Sequence, residues 1–375
     1  MPPFPPPVSV VGSPSGASAK RLWWALPLLT VSWLILLSVI VAGSVVVGRW
    51  ETAPGSASAV APRLTFERDA AGVKRYPSEN SVYFVTAYGS QLTALESFVG
   101  FVDDDVAVET KKQRFGDQSP SAQRRLGFQA MVGAKQIAEY VALKRLGYEV
   151  KLEFGEIVVE QSICEAKPTS DSACKKLAPG DVIESVDGTK TPTVRELAPL
   201  LEGRKAGEVV EVVVHTLNAN PNATRRTVKV RLIASPDRPD RTIIGIVPAD
   251  TRRVEVPFEV GISTAAIGGP SAGLAFTLAL LDELTPGNLM GRVRVATTGT
   301  ISEDGTVGAI GALRQKAVAV RRSGAKVFLV PKAQSAAEIS AARAAAGSGV
   351  SVIPVGTVDE ALAALKKFGG GDLPK

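Results

Sequence analysis

Hydrophobic and polar positions divide this chain into stretches with different rhythms. From Leu22 to Gly48 there is no rhythm at all: 27 residues, LWWALPLLTVSWLILLSVIVAGSVVVG, pass without a charge. As a helix at about 1.5 Å per residue this would be about 40 Å long, ample for a hydrocarbon core of about 30 Å. A surface apolar all round suits lipid better than a soluble core. Residues 22–48 are therefore predicted to be a transmembrane helix, with the bilayer as partner. Before it, residues 1–20 are rich in Pro, Ser and Gly and read as a disordered cytoplasmic tail. After it, residues 51–63 (ETAPGSASAVAPR) have the composition of a linker.

Periodicity then returns. Residues 64–150 form a mixed α/β segment expected to pack with the later domains. Ser81 to Tyr88 is β-rich, and Val106 to Thr110 predicts a strand. Ser121 to Leu146 carries Met131, Ala134, Ile137, Ala138, Val141 and Leu146 at helical spacing, with Gly147 as C-cap. From 151 to 247 short Val/Ile runs recur at 156–160, 181–186, 208–215 and 226–233, interrupted by a helical stretch from Thr193 to Leu201. From 248 to 368 helices and strands alternate. One helix follows Ser271, a strand spans 293–299 and a hairpin turns at Asp304-Gly305. A second helix runs to about Arg322, a strand covers 324–331, and VSVIPV leads into a helix capped by Thr357. Residues 369–375 are a short tail.

Composition narrows the chemistry. Hydrophobic residues make up 45% of the chain, enough for real cores. The net charge of +6 comes from scattered Lys and Arg rather than a basic stripe interleaved with aromatics, which argues against nucleic acid as a partner. There is one histidine, His215, in a strand-like run. A His-rich metal site cannot be built, and neither a metal nor another cofactor is expected. Any Ser-His-Asp mechanism would have to use His215, whose setting reads as structural.

Lys20 and Arg21 precede the apolar stretch, whereas Arg49 after it is offset by Glu51. The positive-inside rule then gives a single-pass cell-membrane protein, its amino terminus cytoplasmic and its later domains extracytoplasmic. Trp23, Trp24 and Trp50 fall near the two ends, where an aromatic belt would lie. The rival reading is a cleavable signal peptide cut at Ala57-Ser58-Ala59, but its apolar region would normally have about 7 to 15 residues. Cys164 and Cys174 share a loop-like stretch, ICEAKPTSDSACKK. In an oxidising compartment they could close a short disulfide; otherwise they are two unpaired thiols.

The chemistry concentrates near the carboxyl end. Gly268-Gly269-Pro270-Ser271-Ala272-Gly273 opens a helix, where unpaired N–H groups and the positive end of the dipole converge. A serine nucleophile there has backbone donors, from Ser271 or Ala272, for an oxyanion. A nucleophile needs a base, and histidine is not on offer. Lys316 lies in an apolar helical run with Ala312, Leu313, Ala317, Val318 and Val320, where desolvation can lower its pKa into the useful range.

These strings, in this order, resemble the proteolytic domain of the Lon protease family. There Gly-Pro-Ser-Ala-Gly holds the nucleophile, a Thr-Gly string follows, and the lysine base lies in a helix before an A-G-x-K-x-(V/I)-x-(L/I)-P strand. The resemblance implies Ser271 and Lys316 as catalytic residues, with Thr298, Gly269 and Ala272 forming the oxyanion hole or positioning the lysine. Gly268 departs from it, standing where many members carry an acid. Members often form rings, so a homo-oligomer is also implied. Leu177-Ala178-Pro179-Gly180-Asp181-Val182-Ile183 with Val186-Asp187-Gly188 resembles the PDZ domain, which implies a peptide groove beside strand 156–160, at Gly155, Glu156, Ile157 and Val158.

The fold class is thus α+β and multidomain: one transmembrane helix, a PDZ-like β-rich domain (151–247) and an α/β Lon-type proteolytic domain (248–368). No G-x-x-x-x-G-K-(S/T) loop occurs in these residues, so an ATP-independent serine endopeptidase acting on flexible exported or membrane-proximal polypeptides is expected. The alternative is an inactive peptide-binding scaffold at the membrane. The combination resembles exported bacterial PDZ–Lon peptidases.

Overall fold

The apolar run folds as expected but stops early. The structure, a computed structural model, describes residues 19–373 apart from 67–72, 78–79, 117–118, 166, 217–224, 237–238, 259 and 266. The expectation of a disordered tail falls largely on residues 1–18, outside the described residues. Helix α1 (Ala19–Ser44) contains Trp24–Ser44, long and apolar enough to cross a membrane, with its apolar side chains outward. It ends before Gly48 because Val46 already pairs with Thr93 in a sheet. Trp50 is no belt residue: it is buried and packs edge-on against Phe115.

The linker expected at 51–63 is instead part of the main sheet. Strand β1 (Val46–Ala59) is followed by a single 3-10 turn at Ala61–Arg63. Next come β2 (Tyr83–Tyr88), β3 (Gln91–Thr93), α2 (Ala94–Val102), β4 (Ala107–Thr110) and α3 (Pro120–Arg145). The expected strand and helix in this segment are present. The capping box Thr93/Glu96, which starts α2, was missed in reading the sequence.

A β module follows, built from β5 (Lys151–Ser162), β6 (Asp181–Val186), helix α4 (Val194–Leu201), β7 (Val209–Thr216), β8 (Arg226–Arg231) and β9 (Ile246–Glu255). The strands lie in the order β8-β7-β6-β5-β9, all antiparallel. Their inward Val, Ile and Leu side chains make a separate core with α4. Cys164 and Cys174 are joined in a disulfide. The boundary placed after residue 247 falls inside β9, which stays paired with β5 through Glu255↔Lys151.

The last stretch supplies α5 (Gly273–Glu283), β10 (Val295–Thr297), α6 (Leu313–Ser323), β11 (Val327–Pro331), α7 (Ala336–Ala346), β12 (Ser351–Val355) and α8 (Val358–Lys366). The main sheet runs β12-β11-β10-β2-β1-β3, with β4 also on β1. Pairing is parallel from β12 to β2 and antiparallel beyond. Val60, Leu64, Phe84 and Ile137 share one core with Leu274, Leu278, Val295 and Leu329. The segment before the β module and the segment after it are therefore one domain, with the module inserted between them.

Candidate active site

Why Ser271 stands where it does is local. Gly269 has φ +95, a left-handed turn that glycine enters without strain, and it swings the chain into Pro270-Ser271. Gly273 N–H closes the turn on Pro270 O at 3.1 Å, with Ala272 as N-cap of α5. All eleven residues of α5 are buried, so the serine sits at the end of a rigid central rod. Its carbonyl is held from two sides. Gly299 N–H donates to it at 2.8 Å and Thr298 Oγ1 at 3.1 Å.

Lys316 approaches from the other side. Ala312, the N-cap of α6, lies in the left-handed region at φ 58, which aims the first turn of the helix at the serine. Lys316 Nζ donates to Ser271 Oγ at 2.8 Å and to Thr298 Oγ1 at 3.2 Å. The lysine is only 4% exposed. Burial pushes its amine down to about 7, because the charged form loses its water there without gaining a carboxylate. At neutral pH a large share of this lysine is an uncharged amine with a lone pair 2.8 Å from a hydroxyl. Such a pair can transfer a proton.

Ser271, Lys316, Thr298 and Ala272 thus come together. Gly269 has a different role from the one expected. Its N–H donates to Gly127 O of α3 at 2.6 Å, so that donor is taken and cannot serve an oxyanion. Gly268 is explained by the same contact. A Cβ there would lie 3.1 Å from Gly127 C and 3.3 Å from Gly127 O, so a side chain at 268 crowds the backbone of α3.

The peptide groove expected at Gly155, Glu156, Ile157 and Val158 is contradicted. Strand addition needs an unpaired edge, and β5 has none there. Ile157 and Val158 pair with Ile183 and Val182 on one side and with Asp250 and Ala249 on the other. Gly155 faces Thr251, and Glu156 is the extra residue of a bulge. The sheet ends on β9 instead. His215 lies on β7, 3.5 Å from Glu156.

A cleft of about 780 Å³ opens above the pair. Its walls include residues that sequence reasoning missed: Gly55 and Ser56 of β1, Tyr88 of β2 and Met131 of α3. Gly55 and Ser56 sit where the register of β1 on β2 shifts, between Pro54↔Ala87 and Ala57↔Val85. No catalytic motif marks them; only the pairing of β1 brings them here.

The family comparison falls on about the last third of the chain. Residues 246–367 match the model of the Lon protease (S16) C-terminal proteolytic domain. These residues, about a third of the chain, are thus similar to the proteolytic domain of the Lon protease family. The match supports a serine protease. The Lon protease of Chloroflexus aggregans is 32% identical over 118 residues, and that of Azospirillum brasilense 33% over 121. Each match covers 32% of this chain but only 14% and 15% of those enzymes. Among solved structures, the PDZ domain of the SdrC-like protein of Listeria monocytogenes is similar. It is 19% identical with a TM-score of 0.21, covering 26% of this chain and 93% of that one.

Proposed function

We propose that this chain is a membrane-anchored serine endopeptidase with Ser271 as nucleophile and Lys316 as general base. The observation that carries this reading is the 2.8 Å contact between the serine hydroxyl and a buried amine lowered to about 7. As Ser271 Oγ attacks the scissile carbonyl carbon, its proton passes to the neutral Nζ. The resulting oxyanion meets backbone N–H donors at the start of α5, those of Ser271 or Ala272. The ammonium then returns the proton to the leaving amine, and the same amine activates the water that hydrolyses the acyl-enzyme. Thr298 holds both the lysine amine and the serine carbonyl, and so fixes the geometry of the pair.

Anchoring rests on α1, which runs almost directly into β1. Cleavage at Ala57-Ser58-Ala59 would cut β1 where it pairs with Val85, Phe84 and Tyr83, so a retained anchor is favoured over a signal peptide. The disulfide in the β module supports an exported, oxidising setting. Without a phosphate-binding loop in these residues, the reading takes substrates that arrive flexible and need no ATP-driven unfolding. An extended segment of such a substrate would add to the outer edge of β9, which pairs with β5 alone among the described strands.

The test is cleavage of casein by the full chain in lipid nanodiscs. Wild type should produce fragments and Ser271→Ala none; equal cleavage by both would remove Ser271 from the mechanism.

A further inference from the structure

Helix α2 is built inside out for a protein surrounded by water. Its small residues Ser97 and Gly100 face inward, while Phe98 is 69% exposed, Phe101 65% and Val102 73%, with Val99 also exposed. The inversion is imposed by packing. A Cβ on Gly100 would come within 2.8 Å of Val108 Cγ2, so a larger residue there needs Val108 to shift. Bulky apolar side chains gathered on one outward face mark a contact surface, since a monomer in water rarely tolerates such a patch.

What covers the patch follows from its neighbour. Ala94 N–H donates to Val45 O at 2.9 Å, just beyond the end of α1. A Cβ on Gly43 would lie 3.8 Å from Leu95 Cδ2, ordinary contact between the two helices. The exposed face of α2 is thus continuous, through the exposed Val45 and Val46, with the apolar surface of α1. We infer that α2 is a second membrane-contacting element, lying in the bilayer interface with Phe98, Val99, Phe101 and Val102 in lipid beside the end of α1. This rests on the reading of α1 as a membrane span. Arg49, its guanidinium 5.9 Å from the Phe101 ring centroid, stands at the level of the headgroups.

The seat reaches the active site. Asp105, just beyond α2, pairs with Arg322 at 3.0 Å and Arg321 at 3.3 Å, both on α6, the helix that carries Lys316. Arg314 of the same helix also donates to Asp104 O. With α1 at one end and α6 at the other, α2 fixes the cleft at a set height above the lipid. The enzyme would then favour cleavage sites close to the membrane.

Depth-dependent fluorescence quenching tests this on the full chain. There is no free thiol among the described cysteines, so single cysteines can carry an environment-sensitive label. Leu34→Cys reports on α1, Phe98→Cys and Phe101→Cys on α2, and Arg195→Cys on the β module. In phosphatidylcholine nanodiscs, quenching by mid-chain doxyl lipid is expected at 34, by doxyl near the headgroup at 98 and 101, and by neither at 195. Quenching at 34 with 98 and 101 behaving like 195 overturns the inference and leaves the anchor standing. No quenching at 34 overturns the anchor, and the inference with it. Labels at 98 and 101 shielded from water but not quenched, and re-exposed in nanodiscs holding one chain, would assign the patch to a second copy and overturn the inference.

Discussion

Lys316 Nζ stands 2.8 Å from Ser271 Oγ, with the amine buried and the serine partly open to a cleft of about 780 Å³. Because only the uncharged amine can accept the serine proton, kcat/KM should rise with pH through about 7, as a single ionisation. Lys316→Met should lower it between about a hundredfold and ten-thousandfold, the range for loss of a general base. Steady-state cleavage of a fluorogenic peptide across pH checks both. A profile already level below pH 6 would contradict this role for the lysine.

The same burial makes a stability prediction of definite sign. The unfolded chain holds the Lys316 proton up to about 10.5, the folded chain only up to about 7. Between those values the unfolded state binds more protons, so stability rises with pH across the window. Below it the folded state carries a cost of about 5 kcal/mol at most. Lys316→Met should therefore unfold at a higher temperature than wild type at pH 7 and below. The gap should close as pH approaches 10. Thermal unfolding by circular dichroism at several pH values would reveal a reversed or pH-independent gap if the assignment is wrong.

Thr298 touches both members of the pair. Thr298→Val keeps the shape but removes the contact with the amine and the bond to the Ser271 carbonyl. Loss of about 1 kcal/mol of positioning should lower kcat up to about tenfold with KM little changed. A KM effect alone would mean that Thr298 acts on substrate binding.

Gly268 should resist replacement. Gly268→Ala would press on the backbone of α3 at Gly127, costing about 1–3 kcal/mol as overpacking does. Differential scanning fluorimetry should record a lower Tm. An unchanged Tm would mean that α3 yields easily and that an acid could have been housed there.

The proposed pair was readable because its chemistry demands particular residue types at particular spacings. Ser271 announces itself by a Gly-Pro-Ser turn ahead of an apolar run, and Lys316 by an apolar helix that a solvated lysine would not need. Strand β1 was unreadable for the opposite reason. Thr52-Ala53-Pro54-Gly55-Ser56 has no alternating pattern, and it becomes a strand only through pairing with Tyr83–Tyr88 and with β3 and β4. Its small residues look like a linker, yet they let α6 pack across it, with Ala57 against the core beneath that helix. The misplaced peptide groove has a similar origin. The Val-rich run at 156–160 identifies a strand, but only the partner 246–255, far along the chain, decides that both its edges are filled.

The most direct measurement of the central claim is the rate at which a serine-directed fluorophosphonate phosphonylates the full chain, fluoride leaving, followed across pH with peptide mass spectrometry to locate the adduct. The account predicts a single adduct on Ser271, formed at a rate that rises through about pH 7 and collapses in Lys316→Met. No adduct on Ser271 at any pH, or a rate that Lys316→Met leaves unchanged, would contradict it.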